Sequence, residues 1–260
     1  MSNKSSTSFV SVSKAFYSIN GSLHEAVRDF NLDIGENEFF CLLGPTGCGK
    51  TTVLNMLAGF ESPTSGYINF AGTKVTGKDS KRAVIFQSQD SLYPWLTVSE
   101  NVEFGLRMKG MPKAQRRQLA AEFLKLVGLS DHEGKYPLEL SGGMKQRVQI
   151  ARVLANNPRM LLMDEPFAAL DAQTRTLMQQ ELRHIWFRDR LSVLFITHDI
   201  DEALMLASRI GVMRAGPASS IKGFVEVRLG EERSRTTSDY AEHYQEVHNM
   251  IREEVMRSHQ

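Results

Sequence analysis

The run Gly44-Pro45-Thr46-Gly47-Cys48-Gly49-Lys50-Thr51, followed by Thr52, has the residue types and spacing of a loop that wraps phosphate. Its glycines let the backbone curl until successive N–H groups converge on anionic oxygens. A helix beginning near Gly49 adds the positive end of its dipole. In the pattern G-x-x-x-x-G-K-[ST] the lysine, here Lys50, reaches the β- and γ-phosphates, and the hydroxyl, here Thr51, ligates Mg2+. Such a site also needs a carboxylate at the end of another buried strand, and Met160-Leu161-Leu162-Met163-Asp164-Glu165 provides one. Asp164 is placed to hold Mg2+ through water. Glu165, one residue on, is placed to polarise an attacking water, a role that contributes about 10²–10⁴-fold to a rate. A glycine turn or a solvated acidic pair, taken alone, is ordinary; the combination reads as a nucleoside triphosphate site. Kinases, GTPases, helicases and transport motors all satisfy it.

The elements that must position these groups are legible around them. Phe30, Leu32 and Ile34 alternate with Asp29, Asn31 and Asp33, the period of a half-buried antiparallel strand. Phe39-Phe40-Cys41-Leu42-Leu43 is apolar throughout, as in a strand covered on both faces. The glycine loop follows at once, then helical spacing over 51–58, with Gly59 as the stop. Residues 61–87 return to short strands ending at Ala83-Val84-Ile85-Phe86, and 98–157 reads as charged helix. Two further buried strands, 160–163 and 193–196, flank a helix near 172–188. This alternation predicts a parallel α/β core, with 8–87 and 158–217 as the core, 88–157 as an inserted helical subdomain and 218–260 as a C-terminal extension. In the extension, Phe224-Val225-Glu226-Val227 is a strand candidate and 238–257 an amphipathic helix.

Composition narrows the class. A formal net charge of +1 over 260 residues gives no support to nucleic-acid binding. No apolar run approaches the ~20 residues that cross a bilayer, and MSNKSSTSF lacks the apolar segment of a secretory signal. Two cysteines, Cys41 and Cys48, make no disulfide framework, so the expected compartment is a reducing cytoplasm. Cys48 sits between glycines beside Lys50 at a helix N-terminus, where a thiolate is favoured and reaction with maleimide is expected.

Leu140-Ser141-Gly142-Gly143-Met144-Lys145-Gln146-Arg147 separates the candidates. Ser141 is a good N-cap, the two glycines leave the first helical N–H groups bare, and Met144, Val148, Ala151 and Ala155 form a stripe at helical spacing. The run resembles the signature motif of the ATP-binding cassette (ABC) ATPases, and the family's other marks fall in order over residues 8–215. Gln87 after Val84-Ile85-Phe86 is similar to the Q-loop glutamine that touches Mg2+ and γ-phosphate. Ala168-Ala169-Leu170-Asp171 is similar to the D-loop, and His198 after 193–197 to the switch histidine. Phe16 looks like the aromatic that stacks on adenine, with Tyr17 as the competing choice. The resemblance implies a P-loop core with an antiparallel β subdomain and an inserted helical subdomain. It also implies head-to-tail dimers in which ATP is clamped between the loop of one subunit and Ser141, Gly142 and Gly143 of the other, with Asp171 at the shared boundary. Met144 departs from the glutamine of many relatives, at a position that contributes chiefly backbone.

Leu92-Tyr93-Pro94-Trp95-Leu96-Thr97-Val98, with Glu100-Asn101-Val102 and the variant signature, looks like the nitrate/sulfonate/taurine/bicarbonate branch of bacterial importers. The resemblance implies a second ABC subunit, identical or related, a membrane permease and indirectly an extracytoplasmic solute-binding protein. The chain would then sit peripherally on the cytoplasmic side of the inner membrane. Trp95 beside Pro94 suits a groove for the permease, or packs within its own subdomain. Soluble ABC ATPases of DNA repair carry long coiled coils or zinc modules between these motifs, and translation-associated ones carry two cassettes; neither feature is present.

Overall fold

The structure, a computed structural model, describes residues 5–18, 20–86, 91–189 and 191–258. The chain opens with a long antiparallel hairpin, β1 (Ser5–Tyr17) and β2 (Leu23–Gly35), whose register sets Phe16 opposite His24. In β2 the alternation sorts as the sequence predicts: Phe30, Leu32 and Ile34 are buried and the intervening Asp29, Asn31 and Asp33 are exposed. β3 (Phe39–Leu43) is buried at every position and feeds the glycine loop and α1 (Lys50–Ala58). Gly59 ends that helix in the left-handed conformation at φ 78°. β4 (Ser65–Phe70) and β5 (Thr73–Lys74) return to the first sheet, of order β2-β1-β4-β5.

After β6 (Arg82–Ile85) come three helices, α2 (Val98–Met108), α3 (Lys113–Leu126) and α4 (Gly142–Ala155). A capping box starts α2: Thr97 Oγ1 accepts from the Glu100 backbone N–H while Glu100 Oε2 accepts from that of Thr97. β7 (Met160–Asp164), α5 (Ala172–Asp189), β8 (Ser192–Thr197), α6 (Ile200–Leu206) and β9 (Arg209–Met213) complete the core. β10 (Ile221–Glu226) pairs antiparallel with β9, and α7 (Ser238–Ser258) closes the described chain. The second sheet runs β10-β9-β3-β8-β7-β6, with every pair except β10–β9 parallel.

Because side chains alternate along a strand, the central sheet splits its apolar residues between two cores. Phe39, Cys41, Leu43, Leu161, Met163, Val193 and Phe195 face the helices that follow α1. Phe40, Leu42, Met160, Leu162, Leu194 and Ile196 face α1 and the antiparallel sheet. Each such Leu, Ile or Phe contributes about 1.5–3 kcal/mol by leaving water. The outcome is a rigid platform whose parallel strands β3, β7 and β8 all end at one edge.

The last strand differs from expectation. It starts at Ile221 rather than Phe224, because pairing with β9 takes in Gly223 and, past an irregularity at Lys222, Ile221, which together make no apolar run. Val227 lies just beyond it, donating its N–H to Ser208 O at 2.9 Å.

Candidate active site

At that edge the glycine loop, the end of β7 and the end of β8 surround a cleft of about 470 Å3. Its volume is that of a small-ligand site. The loop itself forms one wall, contributing Thr46, Gly47, Gly49, Lys50, Thr51 and Thr52. Gly47 and Gly49 hold φ of 81° and 94°, in the left-handed region that favours glycine. At Gly49 space is limiting as well: a Cβ would stand 2.8 Å from Val27 Cγ1 and 3.0 Å from Ala26 O. The Lys50 side chain is buried, and its ammonium donates to the carbonyls of Gly44 and Pro45 at 2.7 and 2.8 Å.

The opposite wall carries the carboxylates. Thr51 Oγ1 donates to Asp164 Oδ2 at 2.9 Å, tying the helix start to the end of β7. Burial pushes the Asp164 carboxyl above its usual range, opposed by the Thr51 hydrogen bond, and the neighbouring Glu165 charge pushes it further up. Glu165 sits at φ 45°, unusual for a residue with a side chain, and its N–H donates to Ile196 O at 3.0 Å. Such a conformation costs on the order of 1 kcal/mol and persists only where surroundings enforce it. Here it brings Glu165 Oε1 to 2.9 Å from His198 Nδ1. The chain on either side of His198 is held: Thr197 Oγ1 donates to Glu202 Oε2 at 2.7 Å, and Asp199 caps α6 by accepting from the Glu202 N–H.

These contacts place a phosphate-binding loop, a hydroxyl–carboxylate pair and a carboxylate–imidazole pair around one cavity. The profile of the family described as ABC transporter matches residues 27–168. The chain belongs to the ABC transporter family. An ABC transporter ATP-binding protein of Methanocaldococcus jannaschii is 47% identical over 93% of this chain and 90% of its own. A taurine import ATP-binding protein of Chromobacterium violaceum is 50% identical over 78% of this chain and 77% of its own. A nitrate import ATP-binding protein of a Synechocystis strain is 48% identical over 75% and 73%. Among solved structures, a dimeric ATP-binding cassette in a post-hydrolysis state with ADP and phosphate superposes with a TM-score of 0.77, at 33% identity, covering 85% of this chain and 99% of that one. The fold is thus that of an ABC-type P-loop core, and the chain is an ABC ATP-binding subunit.

Of the residues expected to serve such a site, the structure gathers Phe16, Thr46, Gly47, Gly49 to Thr52, Asp164, Glu165 and His198 around the cleft, while Pro45 and Cys48 do not line it. Between the two aromatic candidates it puts Phe16 in the wall, with Lys14 Nζ 4.8 Å from the ring centroid, and leaves Tyr17 82% exposed. Gly44 lies behind the loop, where a Cβ would be 3.0 Å from both Cys48 Sγ and Met213 Cβ. Ser141, Gly142, Gly143 and Asp171 are not among the described residues lining the cleft. Ser141 caps α4, its Oγ accepting from the Met144 N–H at 3.3 Å. Gly143 packs on the turn of residues 168–171, with a Cβ there 3.3 Å from Leu170 Cδ2. Asp171 caps the start of α5 by accepting from the Thr174 N–H at 2.9 Å, a bond that lowers its carboxyl pKa. Gln87 lies outside the described residues.

Two features depart from the sequence reading. His24 and Ala26 also line the cleft; they arrive through the β1–β2 register, which no local pattern announces. Cys48 is the correction. The expectation of an accessible thiolate fails because the side chain points inward: it is 0% exposed, and burial pushes its thiol up, outweighing the Lys50 charge. Cys41 is equally buried. Maleimide should therefore label the native protein about tenfold or more slowly than the urea-unfolded chain, because labelling requires opening of the core. Equal rates, followed by mass spectrometry, would contradict this burial.

Proposed function

We propose that this chain is the ATP-hydrolysing subunit of an ABC importer for a small anion or sulfonate. In this reading it works as a pair of cassettes held peripherally on the cytoplasmic face of the membrane. One observation carries the proposal: Lys50, the Thr51–Asp164 pair and the Glu165–His198 pair share one cleft, while the Ser141-Gly142-Gly143 helix start lies outside it. That division supports completion of the site by a second copy, and the solved neighbour described above is a dimer. Relatives serving taurine and nitrate import support the importer branch. The individual cargo is recognised by other subunits. No helix of the described residues is long and apolar enough to cross a membrane, in keeping with a separate permease.

The donor set fits Mg2+. Thr51 Oγ1 and Asp164 Oδ2 are hard oxygen donors 2.9 Å apart, and among the described residues no group of three or more His, Cys, Asp or Glu forms an all-protein cage. Sparse protein ligation suits an ion that keeps waters and phosphate oxygens. Thr51 and Asp164 would hold it, directly or through water, together with Gln87, and it would neutralise charge on the phosphate oxygens. Phe16 stacks on adenine. Lys50 and the loop N–H groups from Gly47 to Thr52 grip the phosphates, with Gly44, Pro45 and Cys48 shaping the loop behind. Glu165 accepts a proton from the attacking water, and His198 holds the Glu165 carboxylate and contacts the γ-phosphate. Ser141, Gly142 and Gly143 of the second copy donate to the same phosphate, with Asp171 at the boundary. Because phosphoryl transfer is stabilised mainly by positioned charge, these contacts matter at least as much as the base.

Trp95 is the proposed contact with the permease. It is 71% exposed on a loop held by the fully buried Asn101, whose Nδ2 donates to the carbonyls of Tyr93, Leu96 and Thr97 at 2.9–3.1 Å. A rigid aromatic presented to solvent is a common interface anchor. Trp95→Ala should weaken co-sedimentation with permease-containing membranes by about 30-fold in apparent affinity, the size of an interface hot spot. ATP binding in solution should persist. Sedimentation unchanged by the substitution would remove Trp95 from the permease interface, and sedimentation independent of the permease would remove the importer assignment.

A further inference from the structure

The C-terminal helix α7 is joined to the β2 stretch beside the cleft through a run of short contacts. Glu254 in α7 is 2% exposed, and a carboxylate that deep requires partners. The Ala215 N–H donates to its Oε2 at 2.9 Å, and Lys222 Nζ lies 3.1 Å from its Oε1. Lys222 also donates to Met250 O at 2.9 Å, which pins β10 to the same helix. Gly223 permits this approach, since a Cβ there would stand 2.9 Å from Met250 Cε. One end of the 214–220 loop is thereby fastened to α7.

The other end is fastened to β2. Ala218, at φ 53°, donates its N–H to Glu25 O at 2.6 Å. The Ser219 N–H donates to Ala26 O at 3.3 Å, and the Arg28 N–H to Ser219 O at 3.1 Å. Within the loop, Ser219 Oγ donates to Arg214 O at 2.7 Å, which keeps the two ends in fixed relation. This stretch of β2 meets the nucleotide site twice. Ala26 and Val27 press on the left-handed Gly49 of the phosphate loop, and His24 and Ala26 line the cleft beside Phe16. A continuous set of short contacts therefore runs from a buried carboxylate on α7 to both the phosphate and the aromatic ends of the cleft.

We propose that Glu254 is a positioning residue for ATP: through the 214–220 loop it holds β2 against the phosphate loop, so that the C-terminal helix sets nucleotide affinity. The inference rests on the ATP reading of the cleft. Anything that shifts α7, such as a bound partner, then changes how tightly the cleft holds nucleotide without touching it.

The test uses the full chain, a fluorescent ATP analogue for Kd, and steady-state ATPase assays. Glu254→Ala should raise Kd and KM about fivefold or more, the scale of a coupling between distinct sites. Glu254→Gln keeps an acceptor for the Ala215 N–H but loses the charge facing Lys222, so its shift should be intermediate. For both, kcat at saturating ATP should stay within about twofold, since α7 reaches none of the reacting groups. A purely structural role would lower Tm and leave Kd alone. Unchanged Kd in either variant that folds, judged by circular dichroism, overturns the inference while leaving the ATP assignment intact. Failure of the unsubstituted protein to bind the analogue overturns both.

Discussion

Replacing Glu165 with Gln should slow ATP turnover by about 10²–10⁴-fold, the contribution of a positioned general base, with nucleotide affinity close to that of the unsubstituted protein. The substitution preserves size and the hydrogen bond to His198, now 2.9 Å from Oε1, and removes only the capacity to accept a proton. The left-handed backbone at φ 45° and the bond from Glu165 N to Ile196 O do not depend on the side-chain charge, so the fold survives. On the reading proposed above, turnover should stall after two copies close on ATP, and a larger species should accumulate on size-exclusion chromatography with saturating ATP and Mg2+. A variant that stays at the monomer position, or that releases phosphate within tenfold of the normal rate, would show that another group takes the proton.

Lys50→Met is expected to lower kcat by about 10²–10³-fold, the cost of removing one preorganised donor to developing charge. It should also weaken ATP binding, which distinguishes it from the Glu165 variant. Lys50 is 7% exposed, and methionine replaces its unbranched stem closely while deleting the ammonium. The Gly44 carbonyl loses the Lys50 donor and the Pro45 carbonyl keeps the Cys48 N–H at 3.4 Å, at a cost of order 1–3 kcal/mol in stability. Phosphate release and fluorescent-nucleotide titration measured together check both halves. Normal affinity with reduced kcat would confine Lys50 to the transition state, and normal values of both would remove it from the site.

The phosphate loop and its framing strands were open to reading because each obeys a local rule. Phe39 to Leu43, Met160 to Met163 and Val193 to Ile196 are unbroken apolar runs, which a sheet covered on both faces demands. The loop glycines answer a backbone requirement that other residues meet poorly. What escaped was whatever depends on pairing between distant segments. His24 joins the cleft only because the hairpin register sets it across from Phe16. The direction of Cys48 is decided by packing against the second core, and the electrostatic argument from its chain neighbours pointed the wrong way. Glu254 reads as one charge among many on an amphipathic helix until Ala215 and Lys222 are folded against it.

The position of the Ser141 helix start, apart from the cleft in its own chain, bears on economy in the cell. On the reading proposed above, hydrolysis requires an encounter between subunits, so its rate falls with the square of their number when they drift free. Seating two of them side by side on a permease supplies the high local density that free diffusion denies. Idle copies then spare the cellular fuel supply without any dedicated inhibitor.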